Sequence, residues 1–220
     1  MREAETPMGS RALVGAGIAV GVLNVVAAIA QGTAPHATDT GPQLVAWFRE
    51  HGDGVRWAVW ALTVNLPAVA LMFALQCRLL PAPYREVFLI GAVTVLVTTG
   101  VQAWTFAGLA LHADHLEPAT ARTVLDVAIF YGPVLTGATV TMMAPVTLLA
   151  LRGEADLPRW LGVFGAVALV EQSIETITIF GSSGFTEPGG AMNMQLGAAL
   201  VVGWMVAFAV WGGLRGRPIQ

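Results

Sequence analysis

An all-α bundle of six membrane-spanning helices is the fold class this sequence predicts, and three observations carry it. Hydrophobic residues make up 55% of the 220-residue chain and charged ones only 11%, far from the balance of a water-soluble domain. Six stretches are long and apolar enough to cross ~30 Å of hydrocarbon, which takes roughly 20 residues each. Short segments with Pro and charge, such as "PAPYRE" and "RGEADLPR", lie between some of them and suit tight connections between antiparallel spans. One compact bundle then accounts for residues 1–220 as a single transmembrane domain.

The first span is placed at 12–31. Its end, "AAIAQG", has the small residues of a signal-peptidase site, but the apolar run is long for a signal peptide and Glu3 and Glu5 dilute its basic start, so it is read as a span. The following loop holds the one amphipathic element, "GPQLVAWFREHGD". Pro42 suits a first helical turn, Gly52 suits a stop, and Leu44, Trp47 and Phe48 lie opposite Arg49 and Glu50, so a separate interfacial helix is expected over 42–51. The second and third spans cover 57–80 and 87–111. The fourth, 123–151, contains Pro133 and Pro145 and is expected to bend twice, because each Pro removes a backbone donor. The fifth and sixth cover 160–180 and 192–214.

Arginine sets the expected orientation, since cytoplasmic segments retain positive charge. Arg2, Arg11, Arg78, Arg85, Arg152, Arg159, Arg215 and Arg217 fall on one side and Arg49, Arg56 and Arg122 on the other. Both termini are therefore expected in the cytoplasm and the chain in the cell membrane. The charge is dispersed through loops and ends, with no basic patch for nucleic acid. Cys77 is alone, which excludes an intramolecular disulfide.

The chemistry concentrates in "VEQSIETITIFGSS" at 170–183, where Glu171 and Glu175 stand inside a span. Counted from Trp160, Glu171 falls near the midplane and Glu175 ~6 Å farther outward, and the spacing of four puts both on one helical face, which Thr178 and Ser182 continue outward and Phe164 and Val167 inward. An ionised carboxylate facing lipid costs roughly 2.5 kcal/mol or more, so both are expected to face the interior. Two neighbouring acids in an apolar place disfavour double ionisation, and at least one is expected neutral at pH 7. Asp126 is expected at a depth near that of Glu175, with Trp57, Trp60, Gln102, Trp104, Phe106, Phe130 and Phe180 in the same outer half.

Acids beside aromatic rings suit a membrane enzyme that isomerises or cyclises an apolar, isoprenoid-type substrate. Glu175 would be the general acid, Glu171 its neighbour, Asp126 the base, and the aromatic residues with Gln102 the substrate pocket. An ordinary interfacial aromatic belt, with the acids bonded to Thr, Asn or Gln of neighbouring helices, would look the same. Two alternatives stand beside it: a proton-coupled carrier lined by Asn24, Asn65, Gln102, Gln172 and Gln195, and a non-catalytic scaffold. Membrane lipids, and further copies of the chain in an oligomer, are the other partners considered. No cofactor is expected. His112 and His115, one turn apart in "HADHLE", are the candidate metal ligands, although such loops are more often solvated. "GSSG" at 181–184 is similar to the serine motif of rhomboid proteases, but no His follows His115 to activate Ser183.

"LPRWLGVFGAVALV" at 157–170 and "WMVAFAVWGGLRG" at 204–216 resemble a broad group of bacterial six-helix membrane proteins of about this length. That resemblance implies the topology and no activity. In size and acid chemistry the chain is also similar to small integral-membrane terpene cyclases, which implies a prenylated substrate and Glu171, Glu175 and Asp126 as its acids. Because these acids lie in the outer half, such a substrate would have to enter through the bilayer.

Overall fold

A computed structural model describes residues 8–215, which form helices and turns with no strand among the described residues. Arg2 and Arg217, two of the residues behind the expected orientation, lie outside them, as do Glu3 and Glu5. The helices are α1 (Met8–Gln31), α2 (Gly41–Cys77), α3 (Tyr84–Leu111), α4 (Pro118–Ile129), α5 (Tyr131–Arg152), α6 (Arg159–Glu175) and α7 (Ala198–Leu214). With α4 and α5 taken as one stretch, six segments are long and apolar enough to cross a membrane. The chain is an all-α, multi-pass membrane bundle.

The helices pack as a ring in the order α1, α2, α3, α5, α6, α7 and back to α1, as antiparallel neighbours with short connections do. Large side chains fill the centre: Leu13, Met72, Phe88, Met142, Met143, Trp204 and Phe208 are fully buried. Phe88 meets Phe208 edge to face at 6.3 Å, and Trp204 Nε1 donates to the Leu161 carbonyl at 3.3 Å. Small residues let backbones approach. At the α3–α5 crossing a Cβ on Gly91 would lie 2.7 Å from Met142 Cα. The outward faces are also apolar: Ile18, Val22, Val25, Val93, Val97, Val163 and Val170 are exposed, as a surface bathed in lipid allows.

Two elements differ from the sequence expectation. The amphipathic segment is not a separate interfacial helix; it is the start of α2, continuous over Gly41–Cys77. Pro42 does occupy the first turn. Gly52 does not stop the helix, because it is buried against Ala110 of α3, whose carbonyl a Cβ there would meet at 3.6 Å. At 1.5 Å per residue α2 is ~55 Å long, well beyond the ~30 Å of hydrocarbon. Its first half builds a second apolar cluster in which Leu44, Phe48 and Val55 meet Phe106 and Leu109 of α3 and Leu125 and Ile129 of α4. Arg56 donates to the Leu111 carbonyl at the end of α3 at 3.1 Å, and Arg49 to the Asp114 carbonyl at 2.9 Å.

The fourth stretch is broken where a bend was expected. Phe130 separates α4 from α5, where Pro133 in the first turn of α5 leaves the Ile129 carbonyl without its donor four residues on. Pro145 stays inside α5. The loops α1–α2, α3–α4 and α6–α7 share one end of the bundle, here called the Arg-poor end.

Candidate functional site

α6 lays Leu161, Gly165, Ala168, Gln172 and Glu175 along one buried stripe, the three- and four-residue spacing of a helix face. Glu171 sits at the margin of that stripe. It is 8% exposed, yet Val167 one turn earlier is 55% exposed and Val170 is 61% exposed. The expected stripe through Val167 and Glu171 is therefore displaced, and Gln172 lies at its centre between the two acids. Ser182 is exposed and leaves the stripe, while Thr178 stays buried on it.

Three helix irregularities meet at Glu175. α6 ends there and tightens into a 3-10 turn over Thr176–Phe180. α5 begins afresh at Tyr131, with Gly132, Thr136 and Thr139 in its first turns. Before α7, Met192–Gly197 form a π-helical turn, a wide turn that is frequent at functional sites. This turn brings Asn193 and Gly197 onto α6.

The contacts form one network. Glu175 accepts from Asn193 Nδ2 and Thr136 Oγ1 on Oε1, the latter at 3.4 Å, and from Gln172 Nε2 on Oε2. The same Gln172 amide donates to Glu171 Oε2 at 3.0 Å, and Gln172 Oε1 accepts from Thr139. Asn193 Oδ1 in turn accepts from the Gly189 amide at 3.1 Å. Two glycines give this network room: a Cβ on Gly132 would lie 3.1 Å from Asn193 Nδ2, and one on Gly197 would collide with the Glu175 carboxylate. Glu171 Oε1 and Thr178 Oγ1 are buried without a hydrogen-bond partner.

The arrangement can hold a proton or release it. Burial favours the neutral acid, whereas three donors aimed at Glu175 favour the carboxylate. Glu171 adds a second carboxyl joined through the same amide, with one oxygen open.

The other residues singled out in the sequence lie elsewhere. Asp126 is on α4, half-exposed, and its carboxylate is held by Arg122 one turn before it; the hydrogen bonds of Glu175 go to Asn193, Thr136 and Gln172 and not to Asp126. Trp57, Trp60, Trp104, Phe130 and Phe180 point outward, with Phe180 89% exposed, and Phe106 is buried near Phe48 at 6.3 Å. Gln102 and Phe106 line a cavity of about 40 Å³ with Gln31 and Met194, enough for about one water. A shallow groove on α2 is lined by Asp53, Arg56, Trp57 and Trp60. Neither concavity includes Glu171 or Glu175. His112 and His115 are exposed, and among the described residues no three metal-binding side chains converge. Of the polar path residues, Gln172 is in the cluster, Gln195 is exposed, Asn24 turns back to the Val20 carbonyl at 2.9 Å, and Asn65 is buried in α2.

Sequence reasoning allowed for Thr, Asn or Gln of neighbouring helices as partners of the acids but did not single out Asn193, Thr136 and Thr139. Asn193 carried a readable signal, as an amide at the start of the sixth span, where the chain returns from the outer end of the fifth. The two threonines carried none, because a Thr in a span ordinarily bonds its own helix, as both also do here. Comparison with protein-family models, curated proteins and solved structures finds no match to this chain.

Proposed function

We propose that the chain is a cell-membrane carrier that couples proton binding at Glu175 to movement of a small molecule. The observation that carries the reading is the convergence of three helix irregularities on one buried carboxylate. In membrane carriers, discontinuous helices near the midplane hold substrate and coupling ions, and their ends move without breaking a continuous ladder. Glu175 takes up a proton when its donors turn away and gives it up when Asn193, Gln172 and Thr136 close on it. Glu171, with its unpartnered oxygen, is the adjoining acceptor.

Proteoliposomes containing a trapped pH dye, given a pH gradient and challenged with fractionated metabolites of the source cells, test this. A metabolite-dependent proton flux that is lost in Glu175→Gln supports the carrier. Flux equal to that of empty liposomes with every fraction, or flux unchanged in Glu175→Gln, overturns it.

A second reading, an acid-base enzyme acting on an apolar, isoprenoid-type substrate, is favoured by the position of Glu171 beside the exposed Val167 and Val170. A substrate dissolved in the bilayer would approach that acid laterally. Such an enzyme would use Glu171 and Glu175, since Asp126 is engaged with Arg122. Chromatography with mass spectrometry of lipid extracts distinguishes it: the same prenylated compound accumulates in a deletion strain and in the Glu171→Gln/Glu175→Gln double variant. A double variant that keeps full biological activity leaves a scaffold.

A further inference from the structure

At the Arg-poor end the segment between α6 and α7 carries a buried carboxylate that the carrier reading does not use. Glu187 is 3% exposed. Its Oε1 lies 2.8 Å from His36 Nδ1, and its Oε2 accepts from the Ala37 amide at 3.2 Å. The α1–α2 loop is thus clasped to the α6–α7 segment. The charged groups around His36 are Glu187 opposite it, Asp39 on its own loop, whose carboxylate accepts from the His36 amide at 2.7 Å, and Arg122 of α4. Arg122 donates to the Asp39 carbonyl at 2.8 Å and pairs with Asp126.

A short path leads from the clasp to the buried cluster. The Gly190 amide donates to the Glu187 carbonyl at 2.9 Å, and the Met194 amide to the Gly190 carbonyl at 2.9 Å. The Gly189 amide holds Asn193 Oδ1, and Asn193 Nδ2 holds Glu175. Glu187 is folded tightly against this turn: a Cβ on Gly190 would lie 2.7 Å from Glu187 Cγ. Whatever frees Glu187 therefore frees the backbone that positions Asn193.

We infer that the His36–Glu187 clasp is a pH-operated latch that sets Asn193 against Glu175 and so controls access to the buried carboxylate from the Arg-poor end. The hydrogen bond to Glu187, followed by its negative charge, holds the His36 imidazole above the ordinary histidine value of 6.5. A histidine raised in the folded state contributes fully below its unfolded value, and the contribution is lost as pH climbs through the raised one. The latch is closed in mildly acid medium. It loosens when His36 loses the charge that compensates buried Glu187. The clasp itself stands on its own geometry; its consequence for transport rests on the carrier reading of Glu175.

Hydrogen–deuterium exchange of the full chain in lipid nanodiscs, followed by mass spectrometry of peptides covering 185–197, tests the latch. Exchange is compared at about pH 5.5 and about pH 8.5, either side of histidine titration, after correction for intrinsic rates. The wild type is expected to lose protection by about tenfold at the higher pH, as a local opening does. His36→Gln, a change at a mostly exposed side chain, is expected to show the low protection at both pH values, while His51→Gln keeps the wild-type response. Glu175→Gln also keeps it, so a failure of the carrier reading appears in proton flux and leaves the exchange result intact. Equal protection of the wild type at both pH values, or an unaltered pH response in His36→Gln, overturns the latch.

Discussion

Replacing Gly197 by Ala adds one methyl group at the point where the π-helical turn meets Glu175. A Cβ there would collide with Glu175 Oε2 and lie 3.0 Å from Gln172 Nε2 and 3.3 Å from Glu175 Cδ. The carboxylate would have to yield, and three donors pin it. In open helical space Gly→Ala stabilises by about 0.5–1 kcal/mol. Overpacking a filled site costs about 1–3 kcal/mol, and distorting one buried hydrogen bond costs about 1 kcal/mol more. The two opposing effects leave a net loss of about 1–3 kcal/mol. Gly15→Ala and Gly100→Ala are the controls, since nothing lies within 4 Å of either Cβ position, and both should gain stability. Unfolding in mixed micelles under an SDS titration measures all three. In a Glu175→Ala background the obstacle is gone, and the coupling between the two sites should reach about 1 kcal/mol. Gly197→Ala as stable as the wild type, with Gly100→Ala behaving as expected, would refute the placement of the carboxylate.

The two acids should respond to different extents when their charge is lost. Glu175→Leu removes the acceptor of Asn193, Gln172 and Thr136, leaves the Asn193 amide donor without another acceptor in the network, and should cost about 3 kcal/mol, whereas Glu171→Leu removes a group with an unpartnered oxygen and should change stability by less than about 1 kcal/mol in the same unfolding assay. Gly91→Ala drives a methyl into the Met142 backbone, which cannot swing aside, so a loss of about 2 kcal/mol or more and a lower folded yield on size-exclusion chromatography are expected. Arg122→Met breaks the half-exposed pair with Asp126 and should cost less than about 1 kcal/mol, with the difference shrinking in high salt.

Three helix ends were legible in the sequence. Gln31, Leu111 and Leu214 close their helices where expected, because the apolar runs stop there at Gly, polar or charged residues. Gly52 misled because its missing side chain serves contact with Ala110 and not a helix stop, which no local pattern distinguishes. The break at Phe130 was half legible. Pro133 announced a disruption, but whether it would be a bend or a division into α4 and α5 depended on α4 having Leu125 and Ile129 to bury against α2. Of the candidate site, the Glu171 and Glu175 pair and Gln172 were visible from spacing. Asp126 was assigned by depth, although Arg122 four residues earlier already offered it an ion pair. The partners on α5 and the π-helical turn are set by which helices adjoin α6, and adjacency is not written in a span's own periodicity.

The claim that Glu175 binds and releases a proton is tested most directly by infrared difference spectroscopy of the protein in nanodiscs, cycled between acid and alkaline buffer. It requires no knowledge of the carried molecule. The account predicts a carboxylic acid carbonyl band that appears in acid, vanishes in alkali, shifts in deuterated buffer and is missing from Glu175→Gln while present in Asp126→Asn. A difference spectrum identical in the wild type and Glu175→Gln would mean that Glu175 keeps one protonation state throughout, and would contradict the account.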